Sequence, residues 1–300
     1  MKPAPFKYIV AHSVEEAVAL KVEHGSDACF LAGGQSLVPA LNFRLAQPAV
    51  LIDINTVADC DGVSVRDGKV SVGALTRYRV LQRNPGIAQH APLIAEALPH
   101  IAHPQVRNRG TIGGNLSHAD PASELPAIML ASGARMRVRS SAGERWIDAR
   151  MFFVGALCTA LEAHEMLVEV ELPATAPRCG TAFMEIARRR GDFAIMGIAA
   201  TLTLADDGSC AAARLAYCGA GDGPVLAAAA ASILIGGRVG ENDIAAAAEE
   251  AAREVDPFGS IHASKDYQRH LAGVLTRRAL NIAIERARMT PASVERIGAQ

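Results

Sequence analysis

Twice along the chain a Gly-Gly pair is set among small side chains that can hydrogen-bond, as Ala32-Gly33-Gly34-Gln35-Ser36 and as Thr111-Ile112-Gly113-Gly114-Asn115. The first lies between a predicted strand and a predicted helix. A Gly-Gly pair allows positive φ and lets a ligand approach the backbone with no Cβ in the way. Successive N–H groups turned inward form an anion-binding nest, reinforced where a helix follows. Ser36, Thr111 and Asn115 add short donors for phosphate oxygens. Neither segment fits G-x-G-x-x-G or the P-loop pattern, so the mononucleotide folds lose support. Either pair alone reads equally well as a turn. Two pairs with matching decoration make a diphosphate gripped from both sides a sound physical picture.

The intervening pattern is that of an α+β protein. Ser13 followed by Glu16 is a capping box for a helix through about residue 24, with Gly25 at C′. The apolar run Cys29–Ala32 precedes the first glycine pair, and a helix start is expected at Leu37–Leu41. AVLIDI (49–54) reads as a buried strand, and Asp67-Gly68 sits at the tip of a predicted hairpin. Short helices are predicted at 76–83 and 92–98, a helix at 123–132, and strands at 134–139 and 166–172. PATAPRCG (173–180) is the best boundary in the chain. Beyond it, strands are expected at 181–187, 197–205 and 211–218, with helices at 225–234, 242–255 and 265–288. Leu271, Val274, Leu275, Leu280 and Ile284 give the last of these its apolar stripe.

Half of the 300 residues are hydrophobic, a fifth are charged and the net charge is −1. That balance gives no reason to expect nucleic-acid or membrane binding. No apolar run reaches the roughly 18 residues of a membrane span, and the N-terminus has no signal-peptide pattern. The expected location is the cytoplasm. Cys29, Cys60, Cys158, Cys179, Cys210 and Cys218 are scattered, with no C-x-x-C, which argues against a zinc site or an iron–sulfur cluster on this chain. No Ser/His/Asp or Cys/His constellation is visible. No catalytic and no metal-ligating residue is assigned.

AGGQSLVPALNFRLAQPAVLIDIN and HPQVRNRGTIGGNLSHADPASELPA, taken in order, resemble the FAD-binding medium subunits of molybdenum hydroxylases. This is the carbon monoxide dehydrogenase medium-subunit and xanthine dehydrogenase flavin-domain family. RRRGDFA (188–194) and YQRHLAGVLTRRAL (267–280) extend the resemblance over nearly the whole chain. It implies a vanillyl-alcohol-oxidase-type FAD-binding domain of two lobes, residues 1–55 and 56–177. A C-terminal α/β domain with a β-sheet and terminal helices, residues 178–300, would cover the flavin and contribute to subunit contacts.

By the same resemblance, Ala32, Gly33, Gly34, Gln35, Ser36 and Leu37 would line the FAD pyrophosphate and ribityl chain together with Thr111, Ile112, Gly113, Gly114 and Asn115. Ser123 and Glu124 match positions where the family carries a carboxylate near FAD, commonly Asp. Asp120 competes for that role, or serves an Asx-Pro turn or helix cap. Leu167 matches a residue packed near the flavin, although core packing alone explains a leucine there. Phe193 falls where relatives place a ring close to the isoalloxazine, and reads as well as a core residue. His103, His118, Arg107 and Arg109 flank the second segment, as cofactor contacts or as ordinary turn and ion-pair residues. Neither glycine segment holds a His or Cys, so the flavin is expected to be non-covalent. Relatives often carry a lysine just after the equivalent of Phe183. Here Met184 and Glu185 stand there, which puts NAD use in doubt if that lysine serves reduced flavin or NAD. The implied partners are a large molybdopterin subunit and a small [2Fe–2S] subunit, in a heterotrimer or a dimer of heterotrimers. FAD would pass their electrons to an external acceptor, with substrate chemistry on the large subunit. The alternative is a stand-alone FAD-dependent oxidoreductase of the same fold.

Overall fold

The computed structural model describes residues 2–289; the expected C-terminal domain runs beyond them, from 290 to 300. Three sheets in chain order carry the architecture. The first is parallel: β1 (Lys7–Val10), β2 (Ala28–Leu31) and β3 (Val50–Asp53), in the order β1-β3-β2. Its crossover helix Val14–His24 is capped by Ser13, but the expected capping box is only half formed, because Glu16 reaches back to the amide of His12 and not to that of Ser13. Ser13 Oγ accepts from Glu16 N, and His12 N donates to Glu16 Oε2. Gly25, at φ 55°, ends it. The helix buries Ala17 and Val18 against Ile52 and Val50, each large apolar side chain contributing about 1.5–3 kcal/mol.

The second sheet is antiparallel, in the order β4-β5-β10-β6-β7. Its members are β4 (Val63–Arg66), β5 (Lys69–Gly73), β6 (Arg135–Ser140), β7 (Gly143–Asp148) and β10 (Met166–Pro173), with a small ribbon β8 (Phe153–Gly155) and β9 (Cys158–Thr159) between. The β4–β5 turn is the expected hairpin, with Asp67 and Gly68 both at positive φ. Short helices pack over the face of this sheet, and the Glu124–Ser132 helix, buried from Glu124 to Ala131, carries Leu125, Ile128 and Met129 into the largest core cluster. That helix has almost no polar face, so it runs through the interior and not across a surface.

The third sheet follows, in the order β11-β12-β13-β14: Cys179–Ala187, Ala194–Leu204, Cys210–Cys218 and Val225–Leu226. The 25-residue helix Lys265–Met289 lies along it. Gly180 lets the helix backbone ride directly on β11, because a Cβ there would run into the carbonyl of Ala283. Tyr217 and Thr276, both buried, share a hydrogen bond of 2.6 Å between sheet and helix.

The structure corrects several expectations. The helix predicted from 225 begins at Ala228, because Val225–Leu226 completes the sheet as its edge strand. β1 and β7 had no reading at all. Most consequential, the second glycine segment is not a loop. Thr111 is the N-cap of a helix, Ile112–His118, and both glycines lie in its first turn.

Candidate functional site

A cleft of about 730 Å³ opens where the first two sheets meet, and the β11–β12 turn reaches its mouth. Its size falls within the few hundred to about 1,000 Å³ usual for ligand sites. Ala32, Gly33, Gly34, Gln35, Ser36 and Leu37 line one wall. Among the described residues, the amides from Gly33 to Leu37 donate to no protein acceptor. Only Gly34 takes positive φ, 73°. Its carbonyl accepts from Val38 N at 2.9 Å and turns the chain into the Leu37–Asn42 helix. A run of unpaired amides beside a Cβ-free backbone is suited to an anion.

The second segment works differently. Ile112 N donates to Thr76 O, Gly113 N to Ala74 O, Gly114 N to Thr111 Oγ1, and Asn115 N to Thr111 O. The amides from Ile112 to Asn115 are therefore consumed within the protein, and the expected second nest is not formed by them. The reason is the antiparallel contact between residues 74–78 and 110–113, which includes an isolated bridge between Arg77 and Thr111. Its glycines serve close packing: a Cβ on Gly113 would meet Ala74 at 2.5 Å, and one on Gly110 would meet the Tyr78 ring at 2.7 Å. Thr111, Gly113, Gly114 and Asn115 still line the cleft. Ile112 does not; its side chain is fully buried in the core.

The polar tail also resolves. Asp120 and Glu124 both line the cleft. Asp120 Oδ1 accepts from Ala122 N at 2.9 Å, the Asx turn that leads into the next helix. Glu124 is 3 % exposed, and burial pushes its carboxyl up to about 7. Ser123 hydrogen-bonds to Asn115 at 2.7 and 2.9 Å and so ties this helix to the second glycine segment. Leu167 contributes its side chain beside a β-bulge in β10. Phe193, 60 % exposed, stands at the mouth with Asp192 and Gly191. His118 lines the cleft and His103 does not; the His103 ring instead lies against Gly191. Arg107 is occupied with the carbonyls of Ile101 and Ala102.

Three residues without a motif hold the glycine segments together. Asn55 donates to the Ala32 carbonyl at 2.9 Å. Arg77 donates to Asn55 Oδ1 and to the Arg109 carbonyl. Tyr78, wholly buried, lines the floor between them. Burial and the neighbouring Arg109 charge hold the Arg77 guanidinium below its ordinary value, so two cations sit side by side behind the first glycine segment. Nothing in local sequence flags an arginine or asparagine of this kind; the signal is tertiary.

A cleft that presents unpaired amides, backed by cations and walled by apolar side chains, defines a binding site for a large anionic cofactor. Two family models divide the chain between them. Residues 4–175 match the FAD binding domain in molybdopterin dehydrogenase, and residues 181–283 match the CO dehydrogenase flavoprotein C-terminal domain. The chain is 42 % identical to the 6-hydroxypseudooxynicotine dehydrogenase complex subunit alpha of Paenarthrobacter nicotinovorans, covering 98 % of this chain and 100 % of that one. A structure of carbon monoxide dehydrogenase from Hydrogenophaga pseudoflava, lacking the Mo-pyranopterin moiety of its molybdenum cofactor, superposes with a TM-score of 0.93. It shares 38 % identity over 95 % of this chain and 99 % of that one. Quinoline 2-oxidoreductase from Pseudomonas putida 86 gives 0.90 and 39 % identity over 96 % and 99 %. The chain belongs to the family of FAD-binding medium subunits of molybdenum-containing hydroxylases. The residues present fit the cofactor: the Gly33–Leu37 amides offer donors that no acceptor among the described residues takes up.

Proposed function

We propose that this chain is the flavoprotein electron-transfer subunit of a cytoplasmic molybdenum hydroxylase, bound to a large molybdopterin subunit and a small [2Fe–2S] subunit. FAD, when bound, supplies the exchange of electrons between the clusters of the small subunit and an external acceptor. The chain's own residues hold it without a covalent bond. The amides from Gly33 to Leu37 take the diphosphate, with the Arg77 and Arg109 charges behind them. Asn115, Asp120 and Glu124 offer acceptors for hydroxyls along the cofactor, and Leu167 and Phe193 flank its ring. The proposed units are residues 1–55 and 56–177, which form the cleft between them, and 178–300, which reaches over its mouth.

The observation that carries this reading is the row of unpaired amides at one end of a cleft large enough for a dinucleotide. The six cysteines, all free, fit a reducing compartment. The test is purification from the native source under mild conditions. A yellow complex with flavin absorbance and two further chains, one large and one small and cysteine-rich, is expected. A yellow, active monomer would favour a stand-alone flavoenzyme, and a colourless chain that takes up no added FAD would remove the flavin reading.

A further inference from the structure

Behind the cleft wall lies a group of ionisable side chains that cofactor binding alone does not require. Glu124 lines the cleft and is 3 % exposed. Glu185 on β11 has a side chain 5 % exposed. Its Oε1 is 3.2 Å from His100 Nδ1, and its Oε2 is buried with no hydrogen-bond partner. The His100 side chain is 40 % exposed and packs edge-to-face on Phe183. Glu185 pairs with Gly197 on β12, which pairs in turn with Cys218 on β13, and the Glu124–Ser132 helix packs on those two strands, so the three lie in order from the cleft to solvent. We propose that Glu124, Glu185 and His100 form a proton-holding cluster that takes up one proton from solvent when the flavin bound in the cleft gains electrons. This rests on the FAD reading above.

Several groups face the cluster. Glu124 is influenced by Glu185, by Asp120 from the turn before its own helix, and by His100. Tyr78 from the Tyr78–Arg83 helix and Cys218 from β13, both wholly buried, register the Glu124 charge, and Cys218 registers that of Glu185 as well. His100 also feels Arg190 from the β11–β12 turn. Among the described residues, the cations in this company are the imidazole and Arg190, and Arg190 is exposed. Two carboxylates sharing a low-dielectric region do not both ionise readily, which favours the neutral form of Glu124. Burial and Glu185 raise the Glu124 carboxyl to about 7, against the opposing hydrogen bond from its own amide, and the hydrogen bond to Glu185 raises His100.

Adding negative charge in the cleft raises the proton affinity of such a cluster further. Two electrons come from the donor and one proton binds the flavin itself. A second proton enters from solvent at His100 and ends as an O–H bond on Glu124. Two charges in are matched by two protons.

The experiment is a potentiometric titration of the full chain loaded with FAD, followed by flavin absorbance across roughly pH 7 to 8.5, the range above the ordinary carboxylate values. The wild type is expected to take up two protons per two electrons. Glu124→Gln is expected to take up one. Glu185→Gln removes the repelling carboxylate, so the pH at which the second proton is lost should fall by about one unit, a tenfold change in proton affinity. If Glu124→Gln fails to hold FAD, the Glu185→Gln shift decides. A wild type that takes up one proton, or variants that match the wild type, overturns the cluster. A wild-type chain that binds no FAD overturns instead the reading beneath it.

Discussion

Gly33 lies flat against the Arg109 carbonyl, so close that a Cβ at position 33 would stand 2.5 Å from that oxygen and 2.9 Å from Gly110 Cα. The two glycine segments are thus one packed unit, joined backbone to backbone. Gly33→Ala must push them apart, since the obstructing atoms are main chain and cannot rotate away. A cost of about 1–3 kcal/mol is expected from overpacking. FAD affinity should fall by about tenfold or more, because the displaced segment carries the free amides. Titration of flavin fluorescence and a thermal melt check both; unchanged values would mean that the contact is slack.

Gly114 faces the same junction from the other side. A Cβ there would meet Thr111 Oγ1 at 2.8 Å and approach Ala32 Cβ at 3.7 Å. Gly114→Val therefore disturbs the hydroxyl that caps the Ile112–His118 helix and fills space facing the first segment. Loss of that cap costs about 1 kcal/mol, and a branched side chain adds steric conflict. The purified variant should be colourless. Gly223→Ala, where a Cβ meets nothing within 4 Å, should remain yellow. A yellow Gly114→Val chain would sink this account of the second segment.

Much of this unit was legible in sequence. Fifteen of the sixteen candidate contact positions line one cleft, because glycine pairs and short polar residues announce a backbone made available to a ligand. Ile112 is the exception, since a residue inside a motif can still turn its side chain into the core. The role of the second pair was also misread. Gly-Gly permits positive φ, yet it equally permits close packing, and only the antiparallel contact with residues 74–78 distinguishes the two. Two of the strands found without warning have a common cause: β7 (GERWID) is largely exposed, and β1 (KYIV) is half-exposed, so neither shows an alternating apolar signal.

Arg77 is the residue that sequence could not supply. It bonds Asn55, which holds the Ala32 carbonyl, and it bonds the Arg109 carbonyl directly. Arg77→Met keeps much of the stem's packing while removing both hydrogen bonds and one of two adjacent cations. FAD affinity is expected to drop by about tenfold, the scale of one charge-assisted hydrogen bond. Arg77→Lys should recover only part of it, since an ammonium cannot span both partners as a guanidinium does. Binding isotherms of the three proteins decide this; equal affinities would show that Arg77 is a bystander.

Glu124 sets a pH dependence that should appear in the chain freed of FAD. Its folded value of about 7 lies above the ordinary 4.5, chiefly because burial disfavours the carboxylate. The sign follows from linkage: the folded state binds the proton more tightly than the unfolded state. This contribution is fully present below about pH 4.5 and is lost as pH rises through about 7, amounting to at most about 3 kcal/mol. Glu124→Gln cannot ionise and should lack this dependence. Urea denaturation at pH 5 and pH 8 gives the check. The wild type should lose more stability than the variant between the two, and at pH 8 the variant should be the more stable. Equal losses would mean that Glu124 finds a counter-charge or water that neutralises the effect of its burial.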